Sequence, residues 1–443
     1  MSDNWHNVNG TEEKEYTGQE LVDRISEEKR ERKAIKRNWF MGGIIVGLVI
    51  ALMLSCVVYL VGMKKNNAAY VRLAGSASAE TTDAEDSVLN SQVGQKLSIL
   101  EDSIQEYYLG DVTNEQLENG LYRGLVEATG DPYAEYYTEE ELEELKESTS
   151  GIYYGIGAYV GIDAETQCCK ISGVIDNAPA QEAGLQAEDI IVEVDGTSTR
   201  GMATTDVVML IKGEEHTDVV LTIYRKGEPE YLDITVTRRK VEAPTVEYEM
   251  MEDGMAYIQI TQFETVTIDQ FAEKLEQARS EGMKGLIIDL RGNPGGTLQS
   301  AVEIARMILP KGLVVYMEDK NGEREEYSCD GKQQLEVPLV VLVDDNSASA
   351  AEILAGAVKD YGIGTLVGVT TFGKGIVQKV FGITDGSGVK LTISHYYTPK
   401  GNDIHEVGIE PDVEVKLDTE KYVEDGSDNQ LERAKEILSE EMK

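Results

Sequence analysis

The sequence predicts an α/β protein whose largest part is a mainly parallel sheet covered by helices on both faces. Two units of strand, turn and helix support this prediction, one at 285–309 ("GLIIDLRGNPGGTLQSAVEIARMIL") and one at 337–361 ("VPLVVLVDDNSASAAEILAGAVKDY"). Alternating strands and helices are typical of parallel sheets, whose buried strands are continuous apolar runs. Short β-type runs between residues 151 and 239 indicate a second, smaller β-rich region ahead of these units.

Length and charge limit the classes of function. The chain of 443 residues can hold two or three domains. Its formal net charge of −40 excludes binding to a nucleic-acid backbone, because such binding needs clustered Lys and Arg. The four cysteines form no CxxC pair and only four histidines are present, which argues against a structural zinc site.

The apolar run at 39–63 has no charged residue and predicts one membrane-spanning helix, since about 20 apolar residues cross a bilayer. Basic residues crowd its N-terminal flank, whereas only Lys64 and Lys65 follow it closely. The positive-inside rule then predicts a cytoplasmic tail (1–38), a polar linker (64–92) and an extracytoplasmic remainder, in a single-pass cell-membrane protein. A cleaved signal peptide is the alternative, although the run is longer than a usual signal core.

A small helical module is predicted at 93–150. Leu97, Leu100 and Ile104 recur at near-helical spacing, a second helix follows, and Thr138 is the expected N-cap of a short acidic helix. We interpret this module as a packing or oligomerisation element.

The β-rich region at 151–242 resembles a PDZ domain, on the order of its strands and on the phrase at 178–196 ("APAQEAGLQAEDIIVEVDG"). In PDZ domains a loop before the groove strand offers backbone N–H groups to a free peptide carboxylate, and the peptide adds as a strand. The alternative is that the glycines of this loop only make a turn. The loop comprises Tyr154, Gly155, Ile156 and Gly157.

The chemistry is expected in the core at 243–417, where strand ends meet helix starts. Ser349 lies at such a helix N-terminus, which presents unpaired N–H groups and a partial positive charge. A serine there could attack a carbonyl while the N–H of Ala350 holds the developing oxyanion. The turn containing Gly295 and Gly296 could donate a second N–H.

A structural role for this serine is the competing interpretation. Ser349 and Glu352 match the Ser-x-x-Glu capping box, and Ser347 is a rival for either role. A catalytic serine also needs a base. Neither His395, in a strand-like run, nor His405, in a loop-like run, lies in a diagnostic context.

The stretch 368–378 ("GVTTFGKGIVQ") offers a lysine instead. It nearly matches a nucleotide-binding loop, but Gly375 stands where Ser or Thr should follow the lysine, and the sequence predicts a strand where such a loop opens a helix. Lys374 could act as a base only when neutral, which requires burial or nearby positive potential. On a strand, Lys374, Ile376 and Gln378 share one face, so the Gln378 amide could orient the lysine amine.

Residues 346–378, together with "DLRGNPGG", "GSGVKLTISHYYTPKGNDIHEVGIEPDVEV", the PDZ phrase and "DPYAEYYTEEE", resemble the carboxyl-terminal processing proteases, also called tail-specific serine proteases. The resemblance covers about residues 93–415. It implies a crotonase-like (ClpP/crotonase) serine protease core joined to an inserted or preceding PDZ domain that captures the substrate's C-terminal tail. It implies no metal or organic cofactor.

The resemblance also implies roles for particular residues. Ser349 would be the nucleophile, Lys374 the general base, and Gln378 the residue that positions the lysine. The oxyanion donors would be the Ala350 amide and a glycine of the pair Gly295 and Gly296, with Gly295 preferred.

We therefore expect a membrane-anchored serine endopeptidase acting on extracytoplasmic proteins with exposed C-terminal tails. The alternative is a catalytically inactive scaffold whose PDZ domain binds tails. A nucleotide-binding protein is the third hypothesis. The segment 418–443 predicts a C-terminal amphipathic helix, which would either form a homodimer contact or close the core.

Overall fold

The computed structural model describes residues 88–443 except residue 165. The predicted cytoplasmic tail (1–38), membrane-spanning helix (39–63) and nearly all of the linker (64–92) lie outside the described residues. Among the residues that are described, no helix has both the length and the apolar character needed to cross a bilayer.

The N-terminal part of the described chain is helical, as the sequence predicts. Thr138 is the N-cap of the third helix, confirming that prediction, and its side chain accepts a hydrogen bond from the Glu141 N–H in a capping box. The third helix buries Leu142 and Leu145, whereas the first two helices have no buried residue. The elements are α1 (Ser91–Tyr107), α2 (Asn114–Glu127), strand β1 (Glu135–Tyr137) and α3 (Glu139–Ser150).

The next region is a compact β-rich unit with its own core. A six-stranded antiparallel sheet packs against two short helices around buried side chains that include Ile171, Ile191 and Leu221. Strands β2 and β9 pair with each other where the chain enters and leaves this unit. The elements are β2 (Ile152–Gly155), β3 (Ala158–Ile162), β4 (Cys169–Val174), α4 (Pro179–Glu182), β5 (Ile190–Val194), β6 (Thr197–Ser198), α5 (Thr204–Ile211), β7 (Asp218–Tyr224), β8 (Leu232–Thr237) and β9 (Arg239–Glu242).

The largest unit is built on the predicted mainly parallel sheet. Strands β11, β12, β15 and β16 run parallel in that order, β10 joins one edge antiparallel to β11, and the short β19 joins the other edge parallel to β16. All residues of β12 and β15 are buried, as their continuous apolar composition predicts. The strands are β10 (Val246–Met250), β11 (Met255–Ile260), β12 (Gly285–Asp289), β15 (Leu339–Val343), β16 (Thr365–Gly368) and β19 (Val413–Glu414).

Helices cover both faces of this sheet. One face packs against α6, α7 and α8 in the largest apolar cluster, and the other packs against α10 through Ala434, Ile437 and Leu438. The interpretation that the C-terminal helix closes the core is confirmed, because its apolar side chains pack against the sheet. The helices are α6 (Thr265–Ser280), α7 (Leu298–Arg306), α8 (Ala350–Tyr361), α9 (Thr419–Asp425) and α10 (Asn429–Glu441).

A second, antiparallel sheet joins the helical N-terminal part to the core. Its strand order is β1-β18-β13-β14, with β17 also paired to β18, and the sequence did not predict it. Strand β1 pairs with β18 through Glu135 and Lys390, whose side chains form an ion pair of 2.9 Å. The additional strands are β13 (Gly312–Asp319), β14 (Arg324–Cys329), β17 (Ile376–Gly382) and β18 (Gly388–Tyr397).

Candidate active site

Ser349 immediately precedes α8, at the carboxyl end of β15, as the strand–turn–helix pattern predicts. Its φ of 54° lies in the left-handed region, which a residue other than glycine occupies at an energetic cost. The predicted capping box is present, because the Ser349 N–H donates to Glu352 Oε2, but Ser349 lacks the extended backbone angles of an ordinary N-cap residue. The side chain is 6% exposed, and Tyr396 Oη donates a hydrogen bond of 3.0 Å to the Ser349 carbonyl oxygen.

The rival serine has a structural role in the turn. Ser347 Oγ donates to the Leu290 carbonyl oxygen at 2.8 Å and accepts a bond from the Asp344 N–H at 2.9 Å. These bonds tie the turn after β15 to the end of β12. Ser347 is fully buried, so its hydroxyl serves the packing of the two turns.

A buried carboxylate joins the Ser349 turn to the Lys374 segment. Glu352 Oε2 accepts hydrogen bonds from the backbone N–H groups of Ser349 and Lys374, each at 2.8 Å. Glu352 Oε1 accepts from the Gly373 N–H at 2.7 Å and from Thr371 Oγ1 at 2.6 Å. The backbone nitrogens of Ser349 and Lys374 therefore lie no farther apart than twice the length of one hydrogen bond.

The charge state of this carboxylate reflects two opposing effects. Burial raises the pKa of the Glu352 carboxyl, and the four donated bonds oppose that rise because they stabilise the charged form. The sequence showed Glu352 only as the fourth residue of a capping box. Its contacts with the Lys374 segment come from residues about 20 positions away and carry no local sequence signal.

Lys374 is buried, with 3% of its surface exposed. The predicted strand is present but begins at Ile376, so Lys374 lies in the preceding irregular segment and the strict two-residue alternation does not extend to it. The alternation is also interrupted by an irregularity in register between Val377 and Gln378. Gln378 is nevertheless buried, and Lys379 is exposed as predicted.

One cavity brings several of the predicted site residues together. Ser349, Ala350, Gly296 and Gln378 all line it. Because α8 begins at Ala350, the N–H of this residue is one of the first-turn donors that have no acceptor within the helix. The remaining walls are mainly apolar and are formed by Leu298, Ile353, Ile376, Val377 and Tyr396.

The glycine turn packs directly against Ser349. A β-carbon on Gly295 would lie 2.7 Å from the Ala348 carbonyl oxygen and 2.8 Å from Ser349 Cβ, so only glycine fits there. The Gly295 N–H donates to Asn293 Oδ1 at 2.8 Å, and this amide is therefore engaged inside the turn. Between the two candidate glycines, it is Gly296 that lines the cavity.

Asn293 holds this turn in place, a role that sequence reasoning missed. It is fully buried, and its side-chain Nδ2 donates to the Ile260 carbonyl oxygen at 2.7 Å. Its backbone carbonyl oxygen accepts from the Ala348 N–H at 3.0 Å. The role was missed because an asparagine between glycine and proline is typical of turns, and because its hydrogen-bond partners lie at or beyond the ends of other strands.

A second missed feature is an ion-pair cluster under the same turn. Arg291 Nη2 lies 2.6 Å from Asp289 Oδ2 and 2.8 Å from Asp428 Oδ2, and Tyr257 Oη donates to Asp289 at 2.8 Å. The Asp289 side chain is 1% exposed, so these bonds compensate for burying its charge. The cluster fastens the start of the glycine turn to the N-terminal end of α10.

The predicted tail-binding residues lie in the β-rich unit rather than at the cavity. Tyr154 and Gly155 end β2, Ile156 is buried in the core of that unit, and Gly157 has a φ of 76°. The Ile156 carbonyl oxygen accepts from the N–H of Ala180, so the segment is held against the start of α4.

Comparisons with known proteins agree with this architecture. Residues 254–415 match peptidase family S41, and residues 170–225 match the PDZ domain. The chain is 35% identical over 315 residues to the carboxyl-terminal-processing protease of Synechocystis sp., which covers 70% of this chain and 74% of the relative.

Two further relatives have similar coverage. The carboxy-terminal processing protease CtpA of Bacillus subtilis is 35% identical over 344 residues, covering 77% of this chain and 72% of the relative. Among solved structures, the photosystem II D1 C-terminal processing protease is 31% identical with a TM-score of 0.43, covering 73% of this chain and 87% of that one.

An S41 domain joined to a PDZ domain defines the class of the protein as a serine-type peptidase with mixed α/β structure. The chain belongs to the family of carboxyl-terminal-processing proteases, as the resemblance in its sequence predicts.

Proposed function

We propose that this peptidase is a membrane-anchored endopeptidase with a Ser–Lys–Gln site, and that its PDZ domain recognises C-terminal tails of extracytoplasmic proteins. The observation that carries the proposal is the shared acceptor of Ser349 and Lys374. Both backbone N–H groups donate to the same oxygen of Glu352, and both side chains are buried. The crotonase-like character of the core and the anchor at 39–63 are part of the same proposal.

In the proposed reaction, Ser349 Oγ attacks the peptide carbonyl carbon while Lys374 Nζ takes the hydroxyl proton. The N–H groups of Ala350 and Gly296 donate hydrogen bonds to the oxyanion that forms. Collapse of the intermediate breaks the C–N bond, and the lysine returns its proton to the leaving amine. Water then attacks the acyl-enzyme by the same route and releases the new carboxyl terminus.

Burial supports the role of Lys374. A lysine has an ordinary pKa of about 10.4, so a base working near neutral pH requires an environment that disfavours the ammonium form. A side chain that is 3% exposed is largely removed from the water that would stabilise that form. Gln378 is uncharged, buried and lines the cavity beside Ser349, so it can orient an amine that reaches Ser349 without adding a negative charge.

The PDZ domain would supply substrate selection. The segment Tyr154 to Gly157 lies beside the C-terminal end of α5, where the N–H of Gly213 approaches the Tyr154 carbonyl oxygen at 3.5 Å. A free carboxylate held by such a loop fixes the tail as an added strand. Exposed Tyr159, on β3, and Met209, on α5, provide apolar surface for an apolar tail.

Cleavage of a protein with an apolar C-terminal tail tests the proposal. The Ser349→Ala and Lys374→Ala variants of the full chain should lose cleavage, while Lys379→Ala, which removes an exposed lysine from β17, should retain it. Wild-type rates from either of the first two variants would refute the assignment. Tail recognition is tested separately by binding of the free tail peptide and of its C-terminal amide, which should bind much more weakly; equal binding would refute carboxylate capture.

A further inference from the structure

Tyr133 brings the N-terminal helical module to the candidate base. This tyrosine lies in the turn between α2 and β1, and its side chain is half-buried. Its ring centroid lies 4.8 Å from Lys374 Nζ, within the range of a cation–π contact. A residue some 240 positions earlier in the chain therefore forms part of the immediate surroundings of the Lys374 amine.

The position of the ring is fixed by the fold of the module. The Tyr133 N–H donates to Asp131 Oδ1 at 2.9 Å, and the N–H of Ala134 closes the turn on the Asp131 carbonyl oxygen at 3.1 Å. Strand β1 then pairs with β18, and the ion pair between Glu135 and Lys390 holds that pairing, with Lys390 only 4% exposed. The backbone that carries the ring is thus held by strand pairing and by a turn, both independent of Lys374.

The other charged and titratable groups around the lysine segment are mostly acidic. Glu352 lies on α8, and the loop carrying His405 and Glu406 packs against Gly373 and Gly375. His395, on β18, lies opposite Ile376 and near His405. Burial raises the pKa of the Tyr133 hydroxyl, and the carboxylates of Asp131, Glu406 and Glu352 add to that rise. These carboxylates favour a protonated lysine, so a neutral amine needs an opposing effect.

The ring acts on the amine in two ways that differ in sign. Its electron-rich face attracts the ammonium form. By occupying the space next to the amine it also excludes water from that side, and loss of hydration disfavours the ammonium form. Because Lys374 is only 3% exposed, we infer that the loss of hydration outweighs the attraction, so that covering the amine favours its neutral form.

We propose that Tyr133 is a positioning residue for the base: its ring covers the Lys374 amine, excludes water from it and makes the N-terminal helical module a required part of the active site. This inference rests on the proposed role of Lys374 as the base. It gives the module a role beyond the packing or oligomerisation that its sequence indicates.

The pH dependence of kcat/KM for a tailed protein substrate tests the inference in the full chain. The acidic limb reports deprotonation of the base in the free enzyme. Tyr133→Ala admits water, and Tyr133→Gln keeps bulk while offering a carbonyl acceptor to the ammonium group. Both variants should move the limb to higher pH by about one unit, which lowers kcat/KM about tenfold at a pH below the limb. Tyr133→Phe keeps the ring and should leave the limb in place, whatever its effect on the maximal rate.

Controls separate this role from a structural one. Tyr122→Ala removes a more exposed ring of the same module, which packs on Tyr136, and should leave the limb in place. If Tyr133→Ala and Tyr133→Gln lower kcat/KM equally at every pH, or leave it unchanged, the inference is overturned while the proposed function stands. If Lys374→Ala itself cleaves at the wild-type rate, the base assignment and the inference fail together. Thermal unfolding shows which variants fold. If Tyr133→Ala does not fold, the pH profile of Tyr133→Gln tests the inference.

Discussion

Neutralising Glu352 is the substitution that most directly tests how the site is assembled. In Glu352→Gln the side chain keeps its shape, but one acceptor oxygen becomes an amide nitrogen. The native carboxylate receives four donors, from the N–H groups of Ser349, Gly373 and Lys374 and from the Thr371 hydroxyl. Since an amide nitrogen accepts no hydrogen bond, either orientation of the glutamine sets its NH₂ group against at least one backbone N–H.

The less costly orientation can be chosen from the structure. Placing the nitrogen at the Oε2 position opposes the two N–H groups of Ser349 and Lys374. Placing it at the Oε1 position opposes only the Gly373 N–H, because the Thr371 hydroxyl can rotate and accept. One unpaired buried donor costs about 1–3 kcal/mol, and the remaining bonds lose the strength that a charged acceptor gives them. We expect a loss of about 3 kcal/mol in the free energy of unfolding.

Urea unfolding and kcat/KM on a tailed substrate measure this prediction, with Glu249→Gln, which neutralises an exposed glutamate on β10, as the control. Activity should fall at least about tenfold, because a displacement of about 1 Å in reacting groups can cost far more. A Glu352→Gln enzyme with the wild-type unfolding midpoint and rate would refute the argument that this carboxylate joins the Ser349 and Lys374 segments.

Two further predictions concern the glycine turn and a buried acid. In Gly295→Ala the added carbon collides with the Ala348 carbonyl oxygen and Ser349 Cβ at a φ of 103°, so kcat/KM should fall at least about tenfold. Gly292→Ala, with φ of 69° and no atom within 4 Å, should cost only about 1 kcal/mol of backbone strain; equal kinetic losses in the two would contradict the collision. Burial raises the pKa of Glu264 to about 7, from 4.5, and its Oε2 has no hydrogen-bond partner. The folded state then binds more protons between those two values, so stability should fall by up to about 3 kcal/mol as pH rises through this window. Urea unfolding at about pH 5 and at pH 8 measures this change in the free energy of unfolding. In Glu264→Gln the contribution of this carboxyl should disappear; an unchanged pH dependence would contradict the prediction.

Several elements were predictable because their signals are local. The α8 helix occupies the predicted residues 350–361, since an apolar-periodic run follows a serine and ends before Gly362. The buried strands β12 and β15 were visible as apolar runs, and two such units implied a parallel sheet. The family resemblance predicted roles for Ser349 and Lys374 from contiguous motifs.

The start of β17 is a feature that local sequence signals predicted incorrectly. β-branched and aromatic residues predicted a strand through Lys374, but the strand begins at Ile376. The segment before it bonds instead to Glu352 and to the loop near Glu406, whose N–H donates to the Gly373 carbonyl oxygen at 2.8 Å. Those partners outweigh strand propensity, because propensity is a weak preference that tertiary contacts override.

By itself, the sequence determined the helices and buried strands of the core, that the core sheet is mainly parallel, and that a serine stands at a helix N-terminus. Tertiary structure alone decided which side chains meet there: one carboxylate at 352 receiving amides from two distant segments, a tyrosine ring at 133 within 4.8 Å of the lysine amine, and Asn293 fastening the glycine turn. The physical reason is that periodicity and capping act over a few residues, whereas hydrogen bonds and burial act over a few ångströms between any parts of the chain that the fold brings together.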